Sequence, residues 1–71
     1  MIDEIRKQLH RVPFLPFVVL TSDGHEYSVP TADHAFITPR GSRVVVIDHE
    51  GTVNILGPLR INAVIQQANG E

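Results

Sequence analysis

The chain has 71 residues, of which 42% are hydrophobic and 20% charged, and it contains no cysteine. This composition is typical of a small globular domain, and it excludes a disulfide-stapled scaffold or a cysteine-based zinc site. Its apolar runs are far shorter than the roughly 20 residues that a membrane span requires. The acidic start at Asp3 and Glu4 is unlike a secretory signal peptide. We therefore expect one cytoplasmic domain over residues 1–71.

The net charge of −2 is distributed unevenly along the chain. Bases outnumber acids in the first twelve residues, whereas acids outnumber bases in the rest. A protein that binds nucleic acid through phosphate contacts is normally basic on some face. Only the N-terminal segment and three scattered arginines offer such a charge here.

The N-terminal segment predicts an amphipathic helix over residues 2–11. Ile2, Ile5, Leu9 and Val12 recur at the spacing of one helical face, and charged residues fill the opposite face. The helix is expected to stop near Arg11, because the residue before a proline is pushed out of the α region and Pro13 follows closely.

After Pro16 the pattern changes to short β-rich runs separated by turn residues. A hairpin turn is expected at Ser22-Asp23-Gly24, since Asp and Gly tolerate the backbone angles of tight turns. The fold class is therefore mostly β, with the helix followed by a five- to six-stranded antiparallel small barrel over residues 17–66 and a polar tail over 67–71. The predicted strands are 17–21, 25–29, 35–38, 43–48, 52–56 and 61–66.

The run from Val44 to Ile47 is the strongest predicted strand, because its four consecutive residues are β-branched. Such a run must be covered on both faces or lie at a subunit contact. Among the aromatic residues, we expect Phe17 and Phe36 in the core, Phe14 against the helix and Tyr27 partly exposed.

The order of elements resembles the Sm-like fold, a family that includes the bacterial RNA chaperone Hfq. The resemblance spans nearly the whole chain and is carried by the helix, the segment 18–27 with its Asp-Gly turn, Asp33 and the segment 55–64. The chain also resembles a set of short bacterial proteins of unknown function. They share the Pro-Phe-x-Pro-Phe stretch found here at 13–17 and the Asp-Gly-x-x-Tyr turn found at 23–27.

The Sm-like resemblance implies a ring assembled by pairing neighbouring strand edges, with RNA bound at the pore. The base-contacting Asn of the family is absent from the residues after Asp33, and Leu56 stands where the family has an Arg before Gly57. Weak, sequence-tolerant RNA binding is therefore the alternative function, through Arg6, Lys7 and Arg11. A solvated helix face whose charges match the helix dipole is the preferred interpretation of these three residues.

The preferred interpretation is a non-enzymatic module for protein–protein interaction or homo-oligomeric assembly. A core this small rarely supplies more than about 3–5 kcal/mol, and unpaired strand edges favour association. The predicted oligomer interface comprises Val44, Val46, Asn54, Ile61 and Ala63.

Catalytic and metal-binding signals are weak in this sequence. No nucleophile elbow or glycine-rich phosphate loop is present. His10, His25, His34 and His49 match no ligand spacing of a known metal motif. We therefore expect no enzymatic activity, no cofactor and no metal.

Overall fold

The computed structural model describes residues 2–66 as one helix and six strands. Helix α1 covers Ile2–His10 and ends one residue before the predicted boundary. The strands are β1 (Phe17–Thr21), β2 (Glu26–Val29), β3 (Ala35–Ile37), β4 (Val44–Ile47), β5 (Val53–Leu56) and β6 (Ile61–Gln66). Two short 3₁₀ turns, Ala32–His34 and Pro58–Arg60, precede β3 and β6. The predicted tail at 67–71 lies outside the described residues.

The strands form two antiparallel three-stranded sheets. The first has the order β2-β1-β6 and the second the order β3-β4-β5. Pro30, which has no backbone N–H to donate, and the first 3₁₀ turn separate β2 from β3. Gly57 and the second 3₁₀ turn separate β5 from β6. The fold is thus mostly β as predicted, but its strands lie in two sheets where one closed barrel was expected.

Alternate residues of each sheet point into a shared core. The first sheet contributes Phe17, Val19 and Val29, and the second contributes Val44, Val46 and Leu56, all essentially inaccessible to solvent. Ile2 and Ile5 of α1 belong to the same cluster and Leu9 packs against it, as the helical spacing predicted. The prediction for Val12 is wrong, because this residue follows the end of the helix and is 93% exposed.

The aromatic predictions had mixed outcomes. Phe17 is fully buried, and its ring lies 6.0 Å from that of Phe14, which packs against the core. The prediction for Phe36 is wrong. Ala35 and Ile37 point towards the core, so Phe36 between them points outwards and is half-exposed.

Candidate interaction surface

The outer side of the second sheet is apolar. Its central strand β4 directs two residues to this side, of which one is buried and one half-buried, while β5 exposes two residues there and β3 exposes one. We call the five side chains at these positions the apolar face: Phe36, Val45, Ile47, Val53 and Ile55.

Strand register makes the apolar face continuous. Phe36, Val45 and Ile55 form one row across the sheet, and Ile47 pairs with Val53 in the next row. Val53 is 58% exposed and Ile55 is 61% exposed, whereas Val45 in the middle is nearly buried by its neighbours. Antiparallel sheets that face water normally alternate apolar inside with polar outside. An outer face without a single polar strand position is typical of an interaction surface.

Cations lie at one end of the apolar face. Arg43 follows the same side of β4 as Val45 and Ile47, because side chains alternate along a strand. Its guanidinium lies over Gly57, whose backbone would place a Cβ atom 4.0 Å from the Arg43 carbon Cζ. Arg40 stands in the turn that leads into this strand, and both arginines are exposed.

Carboxylates lie at the opposite end, in the turn between β4 and β5. The Asp48 carboxylate accepts backbone N–H bonds from Thr52 at 2.9 Å and Glu50 at 3.0 Å, and these bonds lower the pKa of Asp48. Asp48 therefore stabilises the turn, and the alternation that places Arg43 on the outer side places Asp48 on the inner side, where it lines a cavity with Tyr27. Glu50 is the exposed carboxylate of this turn. The apolar face thus lies between Arg43 at one end and the turn that carries Glu50 at the other.

The predicted interface residues of β4 are placed inside the protein. Val44 and Val46 are fully buried in the core, where they contact neither solvent nor a potential partner. Their strand is the middle one of its sheet, so both of its backbone edges are already paired. The neighbouring residues Val45 and Ile47 point to the opposite side.

The other three predicted interface residues lie on edge strands. Asn54 is half-buried and donates from Nδ2 to the carbonyl oxygens of Val46 and Thr52, both at 3.3 Å. Ile61 is buried in the core, and Ala63 is partly exposed. The structure does not bring these five predicted residues together into one exposed patch.

The helix cations have different surroundings. Arg6 donates to Asp3 at 2.7 Å, and its guanidinium also lies against Gly41 in the turn after β3. Lys7 and Arg11 are exposed. Of the three candidate RNA contacts, Arg6 therefore has a clear structural role in joining the helix to the second sheet.

Two of the four histidines, His34 and His49, line one cavity together with Glu26 and Asp48. His25 lies 3.1 Å from the Asp23 carboxylate and His34 lies 3.4 Å from that of Asp33. Within residues 2–66, no three His, Asp or Glu side chains are arranged to hold a metal ion.

Sequence reasoning missed all five residues of the apolar face as site residues. The available signal was the β-branched run of β4, for which a cover on both sides was expected. That signal does not show which residues of neighbouring strands lie side by side. Only the strand register shows that Phe36, Val45 and Ile55 share one row.

Comparisons with protein-family models, curated proteins and solved structures each found no match. Within the described part of the chain, no helix has the length and apolar character needed to cross a membrane.

Proposed function

We propose that this chain is a non-enzymatic interaction module and that the apolar face is its binding surface. The observation that carries the proposal is the row Phe36, Val45 and Ile55, which presents apolar side chains where a solvated sheet would present polar ones. The two sheets around one core are consistent with a variant of the Sm-like small barrel. A cytoplasmic location belongs to the same proposal.

The proposal is tested by cross-linking and affinity capture in the native host, with Ile55→Asp compared against Val12→Asp. Both substitutions put a carboxylate at an exposed apolar position, but Val12 is 93% exposed in the segment between α1 and β1, outside the second sheet. We expect the parent chain and Val12→Asp to retain the same protein, either this chain or another, and Ile55→Asp to lose it. Recovery of RNA alone would overturn the proposal.

RNA binding is the second candidate. The contact between Arg6 and Gly41 favours it, because Arg40 directly precedes Gly41 and the helix and this turn thereby supply cations to the same end of the molecule. Phosphate contacts of this kind give affinity with little sequence information and strong salt dependence.

Fluorescence polarisation with uridine-rich and adenine-rich oligonucleotides at low and physiological salt tests this alternative. The variant is Lys7→Ala/Arg11→Ala, which leaves the structural contact of Arg6 intact. RNA binding through the helix predicts weak affinity for both oligonucleotides that this variant reduces. No binding by the parent chain at low salt would exclude it.

A further inference from the structure

We propose that the partner of the apolar face is a second copy of this chain, packed face to face with its strands running in the opposite direction. The inference rests on the proposed function of the apolar face and names its occupant. Three observations carry it: the lack of charge on the face, the placement of charges at its ends, and the small size of the core.

The first observation is that the apolar face is complementary to a second copy of itself. Its five outward strand positions are apolar, and apolar surface is best covered by apolar surface. A two-fold symmetric contact uses the same patch on both copies, so an uncharged apolar patch is suited to it. Two sheets of three strands, packed about 10 Å apart, would form a sandwich of ordinary geometry.

The second observation selects the orientation. Two sheets can face each other with their strands running in the same or in opposite directions. In the first arrangement, Arg43 would lie near the partner's Arg43, and Glu50 near the partner's Glu50. In the second, Arg43 of each copy lies near Glu50 of the other. Like charges repel and opposite charges attract across an interface, so the antiparallel arrangement is favoured.

The third observation is that each copy alone leaves large apolar side chains in water. Phe36 is 52% exposed, and the two outward residues of β5 are exposed to a greater extent. A domain of this length has a small core, and association is one of the common ways to supplement it. Covering the apolar face removes these side chains from water in both copies at once.

Sedimentation equilibrium over a range from low micromolar to millimolar concentration measures the association. We expect a monomer–dimer equilibrium for the parent chain and for the control Val12→Asp, whose exposed apolar residue lies outside the second sheet. Ile55→Asp should dimerise roughly a hundredfold more weakly, since symmetry places two unpaired carboxylates in the apolar contact. Circular dichroism of each variant checks that it is folded. A parent chain that stays monomeric throughout this range would overturn the proposal.

Charge exchange tests the orientation. Arg43→Glu alone and Glu50→Arg alone should each weaken dimerisation about tenfold, because two symmetric ion pairs become two repulsive pairs. An equimolar mixture of the two single variants should form a heterodimer with parent-like affinity. One variant then has acidic residues at both positions and the other has basic residues at both, so that each contact pairs opposite charges. In the parallel arrangement each single variant only exchanges one like-charge pair for another and should dimerise as the parent does. Single variants that dimerise as tightly as the parent would therefore show that the antiparallel orientation is wrong.

Phe36→Asp distinguishes this arrangement from pairing along the free edge of β5. Phe36 lies on β3, at the far side of the sheet from that edge. A face-to-face dimer is lost in this variant, whereas an edge-paired dimer is retained and would overturn the inference.

The inference and the proposed function can fail separately. If the parent chain is monomeric but an identified host protein binds it and is lost in Ile55→Asp, the occupant is wrong and the surface is right. If neither self-association nor a partner depends on Ile55, both are wrong.

Discussion

Asp23 is the most connected charged residue in the structure. Its carboxylate accepts a hydrogen bond from the buried Thr21 hydroxyl, and it lies 3.1 Å from both His25 Nδ1 and Arg60 Nη2. These contacts, led by the Thr21 hydrogen bond and followed by His25 and Arg60, lower the pKa of Asp23 to about 2 from its ordinary value of 3.8. Asp23 thereby joins the β1–β2 turn to the 3₁₀ turn before β6. The backbone bond from Ser22 N to Arg60 O, 2.7 Å long, reinforces this junction.

A lowered carboxyl pKa makes a pH-dependent contribution to stability. The folded state holds the charged form more tightly than the unfolded chain, so the contribution is complete above the unfolded pKa of about 4. It is lost as the pH falls from about 4 through 2. Asp23→Asn should therefore be less stable than the parent at pH 7, and the two should converge towards pH 2. Urea unfolding at several pH values measures this difference.

Glu26→Gln is the control for that series, since it removes one exposed carboxylate from the neighbouring strand. A difference between Asp23→Asn and the parent that stays constant from pH 7 to pH 2 would show that the ionisation of Asp23 does not stabilise the fold.

Gly24 and Gly57 differ in whether their backbone conformation requires glycine. Gly24 has φ of +88° in the predicted Asp-Gly turn and would have no atom within 4 Å of an added Cβ. Gly57 has φ of −80°, a backbone angle that any residue adopts. Gly24→Ala should cost about 1–2 kcal/mol of unfolding free energy through left-handed strain alone. Gly57→Ala should change the unfolding free energy by less than about 1 kcal/mol.

Chemical denaturation of both glycine variants provides the measurement. Equal losses in the two variants would mean that crowding beside Arg43, and not backbone conformation, controls substitution at Gly57. A neutral Gly24→Ala variant would instead mean that the turn has changed its conformation.

At the scale of elements, the two leucines that flank Gly57 show how sharply burial changes along this segment. Leu56, at the end of β5, is 1% exposed, whereas Leu59 in the 3₁₀ turn projects into solvent. Leu56→Ala should lose about 2–5 kcal/mol, because it leaves a cavity between the sheets. Leu59→Ala should stay within about 0.5 kcal/mol. Thermal or urea unfolding compares them, and similar losses would contradict the placement of β5.

The elements themselves were largely predictable from local pattern. Helical spacing of Ile2 and Ile5 identified α1, and the Asp-Gly turn identified the first hairpin, since both signals depend on near neighbours in sequence. Every predicted strand end lies within one residue of the observed end.

The apolar face was not predictable from those patterns because it depends on register. A shift of one residue moves every side chain of a strand to the other side of the sheet. In β4 all four residues are apolar, so the sequence does not show which pair faces the core. The interface prediction chose Val44 and Val46, while the structure directs Val45 and Ile47 outwards.

For the whole molecule, the arrangement of the two sheets determines where the charged residues lie relative to the apolar face. The two sheets enclose one core on their inner sides, and the outer side of the second sheet has Arg43 at one end and Glu50 at the other. The net charge of −2 does not reveal this separation, because opposite charges at two ends of a face largely cancel in the total. Arg43 and Glu50 flank β4 in the sequence, so their separation is a local property of this strand. The fold adds the apolar outer side of the sheet between them.

Self-association through the apolar face should also appear in thermal stability. When two folded copies bind each other and unfolded chains do not, mass action stabilises the folded state and Tm rises with protein concentration. We expect Tm of the parent chain and of Val12→Asp to increase over a hundredfold range of concentration, while Tm of Ile55→Asp stays constant. Differential scanning fluorimetry and calorimetry cover this range.

Sodium sulfate should enlarge the concentration dependence of Tm, because excluded salts strengthen apolar burial. A Tm of the parent that is independent of concentration in both chloride and sulfate would contradict a dimer built on this face.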